Sequence, residues 1–400
     1  MADAVGTSLF QNPRFVKLWV GQGISFIGDA FSTVALVILV AQITGSASAV
    51  GGILVARLLP TLASPLVGVL ADRLDRRTIL VLSDLSRAIL VLGLVFVRDV
   101  TILYLLAFLL GVARTFFNPT VRAAFPSVVG DGDLTRANAL ISGTFSVSLA
   151  VGPALGGLLV ATVGVNAAFV LDAATYLVSA VLLSRVPLSL PEKSEEAGFV
   201  RELKSGLSYL GGARVPLAIV IGAFLTILTA NATIPAEIFL AKETFDAGNA
   251  GYGLLVSLWG GGMVLGSALM VVAGSRVRLI PLYFISIFAT ALALAGTGLA
   301  PSFALALSLL AVAGAANGID NVATDTILQE QVPDAFLGRV FSVRFLTYSA
   351  GEALAYPAGG LIVDAVGPRS TYLLAGTATA AAGFLIFLVI AFTPRKALEI

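Results

Sequence analysis

The 400-residue chain has no cysteine and no histidine, and charged residues make up only 12% of it. Without cysteine there is no disulfide and no thiolate nucleophile, and without either residue the usual soft metal ligands are missing. Any proton chemistry therefore falls to carboxylates, and neither a metal nor another cofactor is expected. Soluble domains carry about 25% charged residues. A charged share near half of that, with 58% hydrophobic residues and a mean hydropathy of +0.99, excludes a soluble globule and makes the lipid bilayer the chain's solvent. A net charge of +1 supplies no basic field, which excludes nucleic acid as a partner. The first apolar run, about 16–43, is too long for a signal-peptide core and is followed by no cleavage-site pattern. It is expected to remain as the first span.

What is present is apolar length. At about 20 apolar residues per spanning helix, the pattern predicts an all-α integral membrane protein of twelve transmembrane helices. They fall at about 16–43, 48–71, 78–98, 100–125, 137–161, 165–186, 215–242, 250–274, 279–299, 302–329, 338–363 and 371–393. The long polar connection, 187–214, separates a six-helix bundle at 1–186 from another at 215–400. Within it Phe199, Leu203, Leu207 and Leu210 recur at helical spacing with Arg201, Glu202 and Lys204 opposite. That pattern predicts an amphipathic helix lying on the membrane surface as a tether. Twelve spans put both termini on one side. Apart from Arg98, Lys242 and Arg369, and from Arg57, Arg87 and Arg114 inside spans, the 24 basic residues fall on that same side, which predicts cytoplasmic termini.

The halves repeat. One offset, the 203 positions separating Gly111 from Gly314, also lays Asn118 on Asn321, Asp131 on Asp334, Arg136 on Arg339, Gly156 and Gly157 on Gly359 and Gly360, and Gly164 on Gly367. Two six-helix halves of one topology imply a pseudo-twofold along the membrane normal and a cavity between them, an architecture suited to alternating access.

Between spans two and three, Gly68, Asp72, Arg73, Arg76 and Arg77 match the G-x-L-A-D-R-x-G-R-R loop, and here the chain resembles the major facilitator superfamily. Asp75 stands where that pattern has glycine; an acid tolerates unusual backbone angles better than most residues. In span five Gly152, Pro153, Gly156 and Gly157 resemble the G-P-x-x-G-G core associated with proton-coupled antiporters. There proline bends the helix and the glycines admit a close neighbour. Gln331 to Asp334 followed by Gly338 and Arg339, together with Asp172 and Phe26 to Asp29, resemble a bacterial exporter branch that includes macrolide-efflux and enterobactin-exporter-like proteins. The resemblance implies a monomer in the cytoplasmic membrane that exchanges protons for a small-molecule cargo. It further implies that spans one, four, seven and ten line the cavity. Asp72 would meet the start of span eleven near Arg339, forming a cytoplasmic gate with Gly68, Arg73, Arg76 and Arg77, since a helix N-terminus attracts an anion.

An ionisable residue deep in a span costs roughly 2.5–3.5 kcal/mol, so each is a functional hypothesis. Asp29, Glu352 and Asp320 are the proton-coupling candidates. For Asp29 the alternative is a fixed pair with Arg57 or Arg114, for Glu352 a structural pair, and for Asp320, like Asp325, a gating role. Arg114, Asn231, Thr229, Asn317, Asn321 and Phe117 are the candidate cavity and cargo residues, with packing as the alternative for Phe117. Asn317, Asn321 and Thr324 recur on one face of span ten. Asp84 and Arg87, three apart in span three, read as a local pair near the headgroups. The expected function is proton-coupled export of small apolar or amphiphilic molecules. An uptake symporter and a membrane-embedded enzyme are the alternatives, the latter opposed by the lack of histidine, cysteine and any metal-ligand cluster.

Overall fold

A computed structural model describes residues 9–64, 67, 74–130, 133–188, 199–274 and 277–392. Every regular element among them is helical, as a lipid solvent requires: it offers no partner to an unpaired amide or carbonyl, and a helix satisfies its own. Among the described residues ten helices are long and apolar enough to cross a membrane, with a shorter apolar helix over Ala47–Ala63. One of the ten, Asp334–Ala391, breaks at Gly367, where φ is 82°. Counting it as spans eleven and twelve, and the shorter helix as span two, gives the twelve spans expected.

Span one is Pro13–Thr44, span three Arg76–Phe96, span four Val100–Val129, span five Leu134–Thr162 and span six Val165–Ser184. Spans eight, nine and ten are Gly248–Ala273, Leu279–Leu299 and Phe303–Gln331. Several starts are fixed by side-chain caps. Asp99 accepts the amides of Thr101 and Ile102 at 2.9 and 3.1 Å, and Ser302 accepts that of Leu305 at 3.3 Å. Asp75 has ordinary extended backbone, φ −63° and ψ 117°, so no special turn angle is needed. It caps span three instead, accepting from the Thr78 amide at 2.9 Å and hydroxyl at 2.6 Å.

Two spans depart from the continuous helices expected. Span two is α-helical over Ala47–Leu58 and tightens into a 3₁₀ turn at Leu59–Ala63, where Pro60 has no amide to donate. Span seven runs as Arg214–Ala230, a 3₁₀ turn Asn231–Thr233, a short helix Ala236–Phe239 after Pro235, and a π-helical turn Leu240–Thr244.

The chain forms two compact units, Met1–Ile43 with Ala56–Glu195, and Thr44–Val55 with Glu196–Ile400. The first is built around Phe15, Leu18, Leu80, Phe125 and Leu183, the second around Ile219, Tyr283, Ile287, Leu328 and Val340. Apolar side chains also face outward, Ile89 at 70% and Leu292 at 75% exposure, as a bilayer allows. The repeat shows in the packing of each unit. A Cβ on Gly111 would overlap the carbonyl of Arg57 in span two, and one on Gly314 that of Trp259 in span eight. Gly164 and Gly367 both turn the chain at positive φ.

The linker helix Phe199–Gly212 is more than a surface tether. Arg339 donates to the Ser205 hydroxyl at 3.0 Å, Tyr209 stacks on Phe336 with centroids 4.7 Å apart, and Leu210 is buried with Val340 and Val343. Leu203 and Leu210 of its apolar face thus pack into the C-terminal core, while Leu207 stays exposed.

Candidate functional site

In the N-terminal unit the charges of spans one, two, three, four and six gather into one network. Span one presents Asp29. Span two reaches it from Arg57, whose Nη2 lies 3.2 Å from Asp29 Oδ1 while Nη1 donates to the Thr33 hydroxyl at 2.6 Å. That hydroxyl in turn donates to the Asp29 carbonyl at 2.6 Å. From span six the Tyr176 phenol donates to Asp29 Oδ1 at 2.6 Å. Arg114 in span four acts on the same carboxylate through its charge.

A second layer supports the first. Arg87 pairs with Asp84 in span three and lays its guanidinium over the rings of Phe117 and Tyr176, at 4.1 and 4.4 Å. The pair forms as the spacing predicts, and both residues are buried. Asp172 is also fully buried, one turn before Tyr176. Span six can approach this closely because residue 28 is glycine; a Cβ there would lie 2.5 Å from Asp172 Oδ1. Three acids thus share one low-dielectric volume with three arginines, so their desolvation is offset by opposite charge and by hydrogen bonds.

The three acids differ in access. Asp29 keeps 18% side-chain exposure and Arg57 13%, whereas Asp84 and Asp172 have none. Asp29 is therefore the one of these three carboxylates that keeps an opening. The span-five motif lies against the same place. A Cβ on Gly152 would come 2.5 Å from Ala30 Cβ, and one on Gly156 3.1 Å from Phe31 Cα, so the Pro153 bend bears on the residues next to Asp29. Phe117, an expected cavity residue, is 2% exposed and here packs beneath a charge instead of lining open space.

The C-terminal unit holds a separate polar group. Asp325 pairs with Arg344 of span eleven at 2.7 Å, and Asp320, buried, lies within reach of the same charge. Asp320 and Arg344 border a small recess with Asn317, Asn321 and Thr324, in which Asn321 donates to the Asn317 side chain at 3.1 Å. Glu352 accepts the Tyr356 phenol at 3.0 Å. The Thr229 and Thr379 hydroxyls bond at 2.8 Å, tying span seven to span twelve, and Asn231 closes the first helical piece of span seven. Of the proposed gate, Gly68, Asp72 and Arg73 lie outside the described residues. Arg76 and Arg77 open span three, and Arg339 holds the linker helix.

Sequence reasoning missed Tyr176, Asp172, Arg344 and Glu237 as site residues. Asp172 and Glu237 carried the signal that marks Asp29, one acid within an apolar run. Arg344 reads as a loop-side charge, and Tyr176 has no sequence signal, because its role comes from a partner 147 residues away.

Residues 5–399 match the family described as transmembrane secretion effector. The chain is 25% identical to macrolide efflux protein A of Streptococcus pyogenes over 91% of its length and 93% of that protein. It is 30% identical to BacE of Bacillus amyloliquefaciens, named for bacilysin export, over 88% and 89%, and 26% identical to the enterobactin exporter EntS of Escherichia coli over 78% and 75%. Among solved structures it resembles a mutant of the nucleoside transporter NupG, with a TM-score of 0.79 at 13% identity over 95% of this chain and all of that one. A bacterial homologue of the lysosomal transporter Spinster superposes with a TM-score of 0.71 at 15% identity, over 97% of each chain. The chain belongs to the transmembrane secretion effector family of major facilitator transporters, multi-pass membrane proteins and not enzymes.

Proposed function

We propose that the protein is a proton-driven exporter of small apolar or amphiphilic molecules, an antiporter of the cytoplasmic membrane that works by alternating access. It acts as a monomer with both termini in the cytoplasm and without a cofactor, the proton gradient supplying the drive. The observation that carries this reading is the access difference in the N-terminal network: Asp29 is held by Arg57 and Tyr176 yet keeps an opening, while Asp84 and Asp172 are sealed. A proton arriving at Asp29 removes the charge that retains Arg57. The freed guanidinium must find another partner, and the packing of spans one, two and six changes with it. Proton and cargo then favour different states of one equilibrium, which is all that coupling requires. The direction is supported by the efflux and export named for the relatives, and by the span-five bend against Ala30 and Phe31.

Everted membrane vesicles under an imposed pH gradient test the reading, with a labelled macrolide as probe. Wild type should accumulate the probe inside the vesicles and lose that accumulation when the gradient is collapsed. Asp29→Asn should elute as a folded protein and show no response to the gradient. Undiminished pumping by Asp29→Asn removes that residue from coupling, and gradient-driven loss of probe from the vesicles replaces export with uptake.

A further inference from the structure

One buried acid takes no part in either polar group. Glu237 lies in the short helix Ala236–Phe239, where span seven is interrupted by a 3₁₀ turn, Pro235 and a π-helical turn. It is 6% exposed, and no cation among the described residues acts on its carboxyl. The titratable groups within range of its charge are phenols: Tyr252 from span eight, Tyr356 from span eleven and Tyr372 from span twelve. Tyr252 and Tyr372 are themselves buried, and the Tyr372 hydroxyl lies near the Thr233 side chain of the 3₁₀ turn. The nearby charges are engaged or turned outward. Tyr356 donates to Glu352, and Arg369 sits over the Phe245 ring and donates to the Gly298 carbonyl. On Glu237's own span Lys242 is half-buried and Glu243 exposed.

A carboxylate buried without a cation is so costly that such a group carries a proton or lies where water reaches it. Tyrosine supplies no compensating charge, only a donor. The interrupted helix supplies a route for water. Breaks of this kind free backbone groups, and π-helical turns are frequent at functional sites; residues 231–244 can change pitch without unravelling the first seventeen residues of the span.

From this geometry we infer that Glu237 is a second proton-binding site, in the C-terminal unit: loaded while buried in the interrupted segment of span seven, and unloaded when that segment shifts and hydrates the carboxyl. The step is a simple proton transfer, H⁺ passing between Glu237 and water, with no other bond changed. It rests on the proton-driven reading above, but its first test does not.

Infrared difference spectra of the purified protein in lipid nanodiscs, titrated with pH and with glutamate carboxyls isotopically labelled, read the protonated-carboxyl band directly. We expect a labelled band that disappears on titration, is lost in Glu237→Gln, shifts in Glu237→Asp and in Tyr372→Phe, and survives in Asp29→Asn and Glu352→Gln. A band unchanged in Glu237→Gln, or lost only in Glu352→Gln, overturns the inference. If Glu237→Gln does not fold, absence of any labelled titrating band from wild type overturns it equally. In everted vesicles Glu237→Gln should keep gradient-independent macrolide exchange and lose its acceleration by the pH gradient. A wild type with no such acceleration defeats the proton-driven reading while leaving the infrared result to stand or fall alone.

Discussion

Asp364 caps the beginning of span two from the far end of span eleven: its Oδ1 accepts the backbone amide of Ala47 at 2.7 Å. The other oxygen accepts the Ser48 amide at 3.0 Å and the Ser46 hydroxyl at 2.8 Å. Both helices belong to the same compact unit here, since Thr44–Val55 clusters with the C-terminal half. Gly51 against the Tyr356 carbonyl and Gly360 against Ser48 Cα bring the two backbones together below the cap.

Asp364→Ala removes acceptors from two helix amides, and loss of such a cap costs about 0.5–2 kcal/mol. Hydrogen exchange should rise at the amides of residues 47 and 48 and stay at its wild-type rate in span four. Equal protection in the variant and wild type would show that the cap does not hold this end.

Arg87 and Asp84 form a sealed pair, so removing one partner strands the other. Arg87→Met should lower stability by roughly 3–5 kcal/mol, whereas Asp84→Leu combined with Arg87→Met should recover most of that loss. Denaturation midpoints in detergent decide the matter, and a double variant no better than Arg87→Met would show that the arginine matters through its stacking on Phe117 and Tyr176.

Two glycines should respond oppositely to alanine. Gly314 lies against the backbone of Trp259 and Met263, so a methyl group there forces spans eight and ten apart, at about 1–3 kcal/mol. Gly143, in span five, has nothing within 4 Å of its would-be Cβ. Gly143→Ala should therefore gain up to about 1 kcal/mol from helix propensity. Thermal unfolding of the two variants side by side checks both signs.

Asp75 lies outside the spans, and the Thr78 hydroxyl bonded to its carboxylate holds that group below the ordinary carboxylate value of 3.8, with the Thr78 and Arg77 amides assisting. A depressed value means that the cap's contribution is complete above the ordinary value and is lost as pH falls through the lowered one. Asp75→Ala should thus reduce protection of the Thr78 amide at neutral pH, and the difference from wild type should close in strong acid. A difference that persists in strong acid would assign the protection to something other than the ionised carboxylate.

The spans were legible because each is an apolar run longer than a bilayer is thick, and the halves because glycines at close helix contacts, such as Gly111 and Gly314, recur at one offset. Asp29 was legible for the same reason in reverse, as a charge in an apolar run. The break in span seven was not, since Pro235 alone announces a kink but not the 3₁₀ and π turns around it. Nor was the seating of the linker helix, whose amphipathic pattern suits lipid and protein equally.

The sequence by itself determined the solvent, the number of spans, the absence of thiol and imidazole chemistry, and which residues are expensive to bury, because all of these follow from local composition. Only the tertiary structure decided which charges meet. Asp29 joins Arg57 and Tyr176, Asp84 and Asp172 are sealed, and Glu237 is left buried in the break of span seven. Those partnerships depend on helix rotation and on how closely glycines let spans approach, and a rotation of a single residue position, about 100°, carries a side chain to another face.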